Sequence, residues 1–351
     1  MYKVDIMPLA KLNIAPGIDK QDTEYGAEGR WVDSDNVRFH YGLPQKVGGW
    51  LKLISDTLIG VVRGTHVWTD LNGVRYTALG TDRIFYVYSE GTAYDVTPLR
   101  KTSSSVSNPF TTNGTTVVSV ADTGHNAIQG DFVTFDSFSA IDGLDMNAEF
   151  EITSITDANN YKVTHTSAAS GSTSGGGGTG NMKYQINIGI DQSQYGYGWG
   201  THTWNSPDYT AVSDPGWNEP RKTSSVTIDA RNWSFDNFGE DLIATVHKGQ
   251  TFLWDTSSGT ATRATVISNT PSSSRFNLVS MPDRHVFLFG TETTIGSSTS
   301  QDDLFLRFAS QETTNDFAPT ATNTAGSFRI QDGSKIVAAV RSRNAVLVWT
   351  D

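Results

Sequence analysis

Apolar and polar positions alternate in short runs along most of this chain. Gly-, Asn- and Asp-rich turns close the runs, which is the pattern of strands. The stretch Glu24–Trp50 sets the tone: Trp31, Phe39, Tyr41 and Trp50 sit among Gly26, Gly29, Gly42, Gly48 and Gly49, with no helical spacing. It predicts short extended pieces joined by tight turns. Clear strands follow over Ile59–Trp68, Val74–Leu79, Arg83–Tyr88 and Ala93–Val96, with turns at Asn72-Gly73, Gly80-Thr81-Asp82 and Glu90-Gly91. Four short strands joined by tight turns predict the antiparallel meander of one propeller blade.

The pattern changes over residues 102–180. Two Ser/Gly-rich stretches, 102–107 and 167–180, read as flexible linkers. Between them Thr115–Val120, Phe132–Phe135, Glu149–Ile155 and Tyr161–Thr166 alternate as strands of a small β-sandwich or barrel. A strand is predicted over Lys183–Ile190, followed by a Gly-rich aromatic loop carrying Tyr195, Tyr197, Trp199, Trp204 and Trp217. Blade-like strands then resume, from Thr227–Phe235 to Ala345–Trp349. The segments HVWTD (66–70), FLWDT (252–256) and LVWTD (347–351) form a weak internal repeat. The expected class is therefore all-β: a β-propeller-like body of four-stranded antiparallel blades with an inserted small β-sandwich or barrel. Residues 1–101 hold an N-terminal extension and the first blade, 102–180 the insert, and 181–351 the remaining blades. Ending on a strand, the chain is expected to continue beyond Asp351 in its natural product or to have been cut there.

Composition narrows the function. The 37 acidic and 26 basic residues leave a formal net charge of −11, which opposes DNA binding by phosphate neutralisation. Charged residues are only 18 % of the chain and aromatics 11 %, enough core material to argue against disorder. Absence of cysteine removes disulfides, thiolate metal sites and a cysteine nucleophile. The N-terminus lacks a signal-peptide pattern, and no run of ~18 apolar residues predicts a membrane helix.

Candidate chemistry is sparse. None of the seven histidines shares a zinc-site spacing with another. The acid pairs Asp33/Asp35, Glu240/Asp241 and Asp302/Asp303 could serve a glycosidase, but acidic residues in turns more often form the turn. The segment Trp233–Gly239 has the wrong spacing for a sialidase-type turn, and the series Asp136, Asp142, Asp145, Glu149 fails the EF-hand pattern. No cofactor is implied and no enzyme activity is expected. The aromatic loop could stack sugars, or anchor a neighbouring subunit.

Two segments carry a family resemblance. GRWVDSDNVRFHYGLPQKVGGW, with Asn36, Arg38, Phe39, Gly42, Pro44, Lys46, Gly48, Gly49 and Trp50, resembles the N-x-R-F-x-x-G-x-P-x-K-x-G-G-W start of nozzle proteins of short-tailed bacteriophages, also known as tail tubular protein B or packaged-DNA stabilisation proteins. Residues 306–330 resemble their recurrent blade segment: a Ser-x-Gln-Glu turn, Asp-Phe-x-Pro, then Asn-x-Ala-Gly leading into a strand. The resemblance implies a structural virion protein, assembled in the host cytoplasm into the phage tail. Its copies form a ring, expected to be a hexamer, below the portal adaptor, and the ring lines and seals the DNA exit channel. The implied partners are its own copies, the tail adaptor protein, tail fibre proteins, and genomic DNA passing through the lumen without sequence-specific binding; membrane insertion is not expected. The negative balance would let DNA slide without sticking. Trp31, Arg38, Trp50, Tyr195, Tyr197, Trp199, Trp204 and Trp217 are the expected subunit-interface residues. Arg30, Arg38 and Lys46 are expected to pair with acidic turns of neighbouring blades or subunits. The alternatives are a carbohydrate-binding or carbohydrate-active β-propeller, and a receptor-binding tail adhesin.

Overall fold

The computed structural model describes residues 14–49, 51–52, 54, 57–189, 231–281, 283–343 and 345–351. The chain divides into two compact units, Met1–Ser55 and Asp56–Asp351.

In the first unit, β1 (Ala15–Ile18) pairs in parallel with β2 (Arg30–Trp31), and β3 (Val37–His40) pairs antiparallel with β4 (Leu43–Lys46). The family-like motif builds this second pair. Tyr41 and Gly42, both with positive φ (50° and 76°), form its two-residue turn, a conformation glycine adopts without strain. Asn36, also left-handed, closes the open end by accepting the Val47 N–H at 2.7 Å. Pro44, which has no N–H to donate, sits in a strand with one free edge among the described residues.

The second unit is a β-propeller-like body. Its first blade is a four-stranded meander of β5 (Val62–Thr69), β6 (Arg75–Thr81), β7 (Phe85–Ser89) and β8 (Thr92–Asp95), matching the expected strands within a few residues. After the insert, a second blade comprises β17 (Trp233–Phe238), β18 (Asp241–Val246), β19 (Thr251–Trp254) and β20 (Thr265–Val266). A third blade comprises β21 (Phe276–Val279), β22 (Val286–Phe289), β23 (Phe305–Phe308) and β24 (Gly326–Arg329). A hairpin follows, of β25 (Ile336–Arg341) and β26 (Val346–Thr350). The leading strands β5, β17, β21 and β25 lie side by side in that order, so blades consecutive in sequence are neighbours in space. The only helical pieces among the described residues are two three-residue 3-10 turns, and no helix is long and apolar enough to cross a membrane.

Aromatic side chains fill the seams between blades. Trp68, Tyr76 and Trp254 form one cluster, with ring centroids 5.4–5.9 Å apart. Trp233 stacks on Phe235 and meets Phe85, and its Nε1 donates to the Thr81 carbonyl at 2.8 Å. Gly80 leaves the space that the Trp233 ring occupies, where an added methyl would collide with it, and Gly64 lies against Trp233 Cβ and the Phe235 ring.

The insert corrects the linker reading. Its strands are β9 (Leu99–Ser107), β10 (Phe110–Thr111), β11 (Val117–Ala121), β12 (Phe132–Asp136), β13 (Glu149–Asp157), β14 (Asn160–Thr164), β15 (Ser174–Gly176) and β16 (Thr179–Gln185). Residues 102–107 thus belong to β9, and the end of the second stretch belongs to β15 (174–176) and the start of β16 (179–180), so neither stretch is wholly a free linker. Ser and Gly are used here for backbone pairing rather than side-chain packing, which is why composition alone misleads. The hydrogen-bonded order is β15-β10-β11-β14-β13-β12-β16-β9. The sheet curls into a half-barrel around Phe110, Phe135, Val133, Ile152, Tyr161 and Met182, with β9 and β15 as its two edges. The strand expected over Lys183–Ile190 ends at Gln185; Ile186 and Ile188 leave the barrel and enter the core shared by the first two blades.

Candidate functional site

Trp31 is half-buried in the first unit, 6.2 Å from Phe39 between ring centroids, and its shielded Nε1 has no hydrogen-bond partner among the described residues. Arg38 is exposed on β3 and donates through Nε (3.1 Å) and Nη2 (2.9 Å) to Gln45 Oε1 across the hairpin. Trp50, Tyr195, Tyr197, Trp199, Trp204 and Trp217 lie outside the described residues. Two of the basic residues expected to meet acidic turns of neighbouring blades or subunits have partners inside their own unit. Arg30 pairs with Asp19 of its own unit at 3.0 Å, and Arg38 is held by its strand partner. Local registry supplies these partners at smaller entropic cost than remote ones.

The acidic residues considered for catalysis all have structural partners except Asp35, for which none is seen among the described residues. Asp33 pairs with Lys20 at 2.9 Å, and the lysine hydrogen bond holds its carboxyl below the ordinary range. Asp302 accepts the Leu304 N–H and pairs with Arg329; Asp303 pairs with Arg275. Glu240 accepts the Leu71 N–H. Burial pushes the Asp241 carboxyl up, opposed by the Thr256 N–H it accepts at 3.0 Å. In the insert, Asp142 takes the hydroxyls of Thr112 and Thr173, Asp145 caps Asn147, and Glu149 faces Arg83. Among the described residues no group of three His, Asp or Glu side chains could hold a metal ion.

Two polar devices position the parts of the second unit. Along the leading strands, His66 Nε2 meets Asn237 Oδ1 at 2.6 Å, Ser234 bonds Asn277, and Asp236 accepts the Val279 N–H at 2.8 Å while also meeting Arg341 at 3.1 Å. One buried carboxylate thereby ties the second and third blades to the β25–β26 hairpin. At the insert, Arg83 of the first blade lies 3.0 Å from the Phe132 ring centroid, with Nη2 2.6 Å from Glu149 Oε2. The N–H directions miss that carboxylate, so charge rather than a directed hydrogen bond carries the pair. Arg100 and Asp131 pair at the barrel's base, where Asp131 also accepts the Asn187 N–H at 3.0 Å. Inside the barrel the Tyr184 hydroxyl donates to Asp122 at 2.7 Å and meets Tyr161 at 3.2 Å; burial pushes both tyrosines far up.

Sequence reasoning missed one apolar face. On the β25–β26 hairpin, Ile336, Ala339, Val346 and Val348 pack toward the third blade, while Val340, Leu347 and Trp349 are exposed. The signal was present: Val346-Leu347-Val348-Trp349 is apolar at every position, the pattern of a strand covered on both faces.

No protein-family profile matches this chain, and no curated protein matches it. Among solved structures, Phage phi92 endosialidase aligns over 80 % of this chain and 38 % of its own, at 12 % identity and a TM-score of 0.21. The chain thus spans well under half the length of that protein, and a likeness this loose assigns neither activity nor partner.

Proposed function

We propose that this chain is a structural, non-enzymatic protein of a short-tailed phage virion, a subunit of the nozzle ring through which DNA leaves. The observation that carries the reading is that both family-like segments form defined structural elements. The first is the β3–β4 hairpin, shaped by Asn36 and Gly42. The second is the connection from β23 to β24. There Phe317 is buried in the core, Asn323 Nδ2 bonds Asp316 at 2.9 Å, and Thr320 N–H bonds Asn323 Oδ1 at 2.8 Å. Motif residues that each hold a turn point to a family fold used as a rigid body. The ring, of expected six-fold order, joins copies of this chain, the adaptor above and fibre proteins beside it, and passes DNA without reading its sequence.

Reconstitution tests the proposal. Mixed with a short-tailed phage portal–adaptor complex, the protein should add a ring to the adaptor's distal end in cryo-electron micrographs. Failure to bind any adaptor, with hydrolysis of a bacterial polysaccharide, would move the protein to the carbohydrate-active alternative.

A further inference from the structure

A cavity of 370 Å³ lies where the insert joins the blades. Arg100 and Asn187 reach it from the neck of the barrel, Arg231 and Lys248 from the second blade, and Ser272 and Ser298 from the third. Ile186, Ile188 and Phe252 form apolar walls. Three of its residues are cations in a chain that is acidic overall. Arg100 is matched by Asp131. Arg231 is different: it is partly buried, and no hydrogen bond or ion pair satisfies it among the described residues. Burial alone pushes its guanidinium down from its ordinary value, with no carboxylate acting against it. A guanidinium withdrawn from water without a counter-charge is costly, and an anion in the cavity would remove that cost.

We propose that this cavity is a binding site for a sugar-sized organic anion, whose carboxylate or phosphate is held by Arg231 beside Lys248 and whose body rests on the Ile186, Ile188 and Phe252 walls. Its size fits a ligand pocket with apolar walls and a few convergent polar groups. The phosphates of duplex DNA lie on a convex cylinder and do not enter a recess of this kind, so the site takes a small molecule or a single residue of a polymer. Because the walls come from the insert and two blades, the ligand would fasten the insert to the body.

The test is calorimetric titration and thermal melting of the full chain with glucuronate, glucose 6-phosphate, inorganic phosphate and glucose. At least one acidic sugar should bind and raise the melting temperature, glucose should not, and inorganic phosphate should bind more weakly than the acidic sugar. Arg231→Gln and Arg231→Met, which keep most of the stem, should weaken binding at least tenfold while circular dichroism stays native. The proposal is overturned if neither acidic sugar binds, if the variants bind as the parent does, or if inorganic phosphate equals the sugars, which would make the effect one of an adventitious ion only.

Discussion

Replacing Trp254 by alanine tests the blade packing most sharply, because the three Trp-Asp segments look alike in sequence and differ in the structure. Trp254 is 0 % exposed, Trp68 7 % and Trp349 49 %. Trp254 meets the edges of Trp68 and Tyr76 and donates from Nε1 to the Thr262 carbonyl at 3.0 Å. Truncating a buried tryptophan costs about 3–5 kcal/mol in lost transfer energy and cavity. The two aromatic edges, about 0.5–1.5 kcal/mol each, and the orphaned carbonyl place the loss toward the top of that range. For a unit of this size that is roughly 10 °C in melting temperature. Trp349→Ala should cost below about 1 kcal/mol, as half-exposed side chains do. Differential scanning calorimetry of both variants measures the contrast. Equal losses, or a loss below about 1.5 kcal/mol for Trp254→Ala, would refute the seam.

Other perturbations test separate joints. Gly80→Ala should destabilise by about 1–3 kcal/mol through overpacking against the Trp233 ring, read by urea denaturation. Asp236→Ala leaves the Val279 N–H without its partner and Arg341 without its carboxylate, for a loss of about 1–3 kcal/mol in the same assay. In a double-mutant cycle, Arg83→Ala and Glu149→Ala should show coupling of about 0.5–3 kcal/mol; strict additivity would remove the charge link between insert and first blade. Asp351 accepts hydrogen bonds from the Ser334 hydroxyl and N–H and the Lys335 N–H, which hold its carboxyl at about 2 against an ordinary 3.8. Its folded value is depressed, so its stabilisation is complete above about pH 4 and lost as pH falls through about 2. Asp351→Asn should flatten that acid limb in melting curves taken from pH 5 to 2; an unchanged limb would exclude the contribution.

Much of the fold was legible in the sequence because alternation, turn chemistry and packing agree. Glu90 and Gly91 both take positive φ in the expected hairpin turn, and Asp70 caps the turn holding Asn72 and Gly73 through the N–H groups of Asn72 and Val74. The Trp-Asp repeat was legible but misleading as a blade marker. Trp68 lies on the first strand of its blade, Trp254 on the third and Trp349 on the second of its hairpin. What the copies share is local: Asp70, Asp255 and Asp351 each accept backbone N–H groups of a neighbouring turn. The Ser/Gly-rich stretches were misread because strands whose role is backbone pairing need few large side chains. The cavity at Arg231 was not legible, since residues 100, 187, 231 and 272 converge only through the excursion of the insert and the return of the second blade. Likewise, no spacing rule links His66 to Asn237, or Asp236 to Arg341.

The proposed nozzle ring is tested most directly by the rotational symmetry of the assembled protein, from class averages of particles viewed down the channel axis by electron microscopy. The account predicts a closed six-fold ring around an open channel. A stable monomer at assembly concentrations, or a three-fold particle of the adhesin kind, would contradict it.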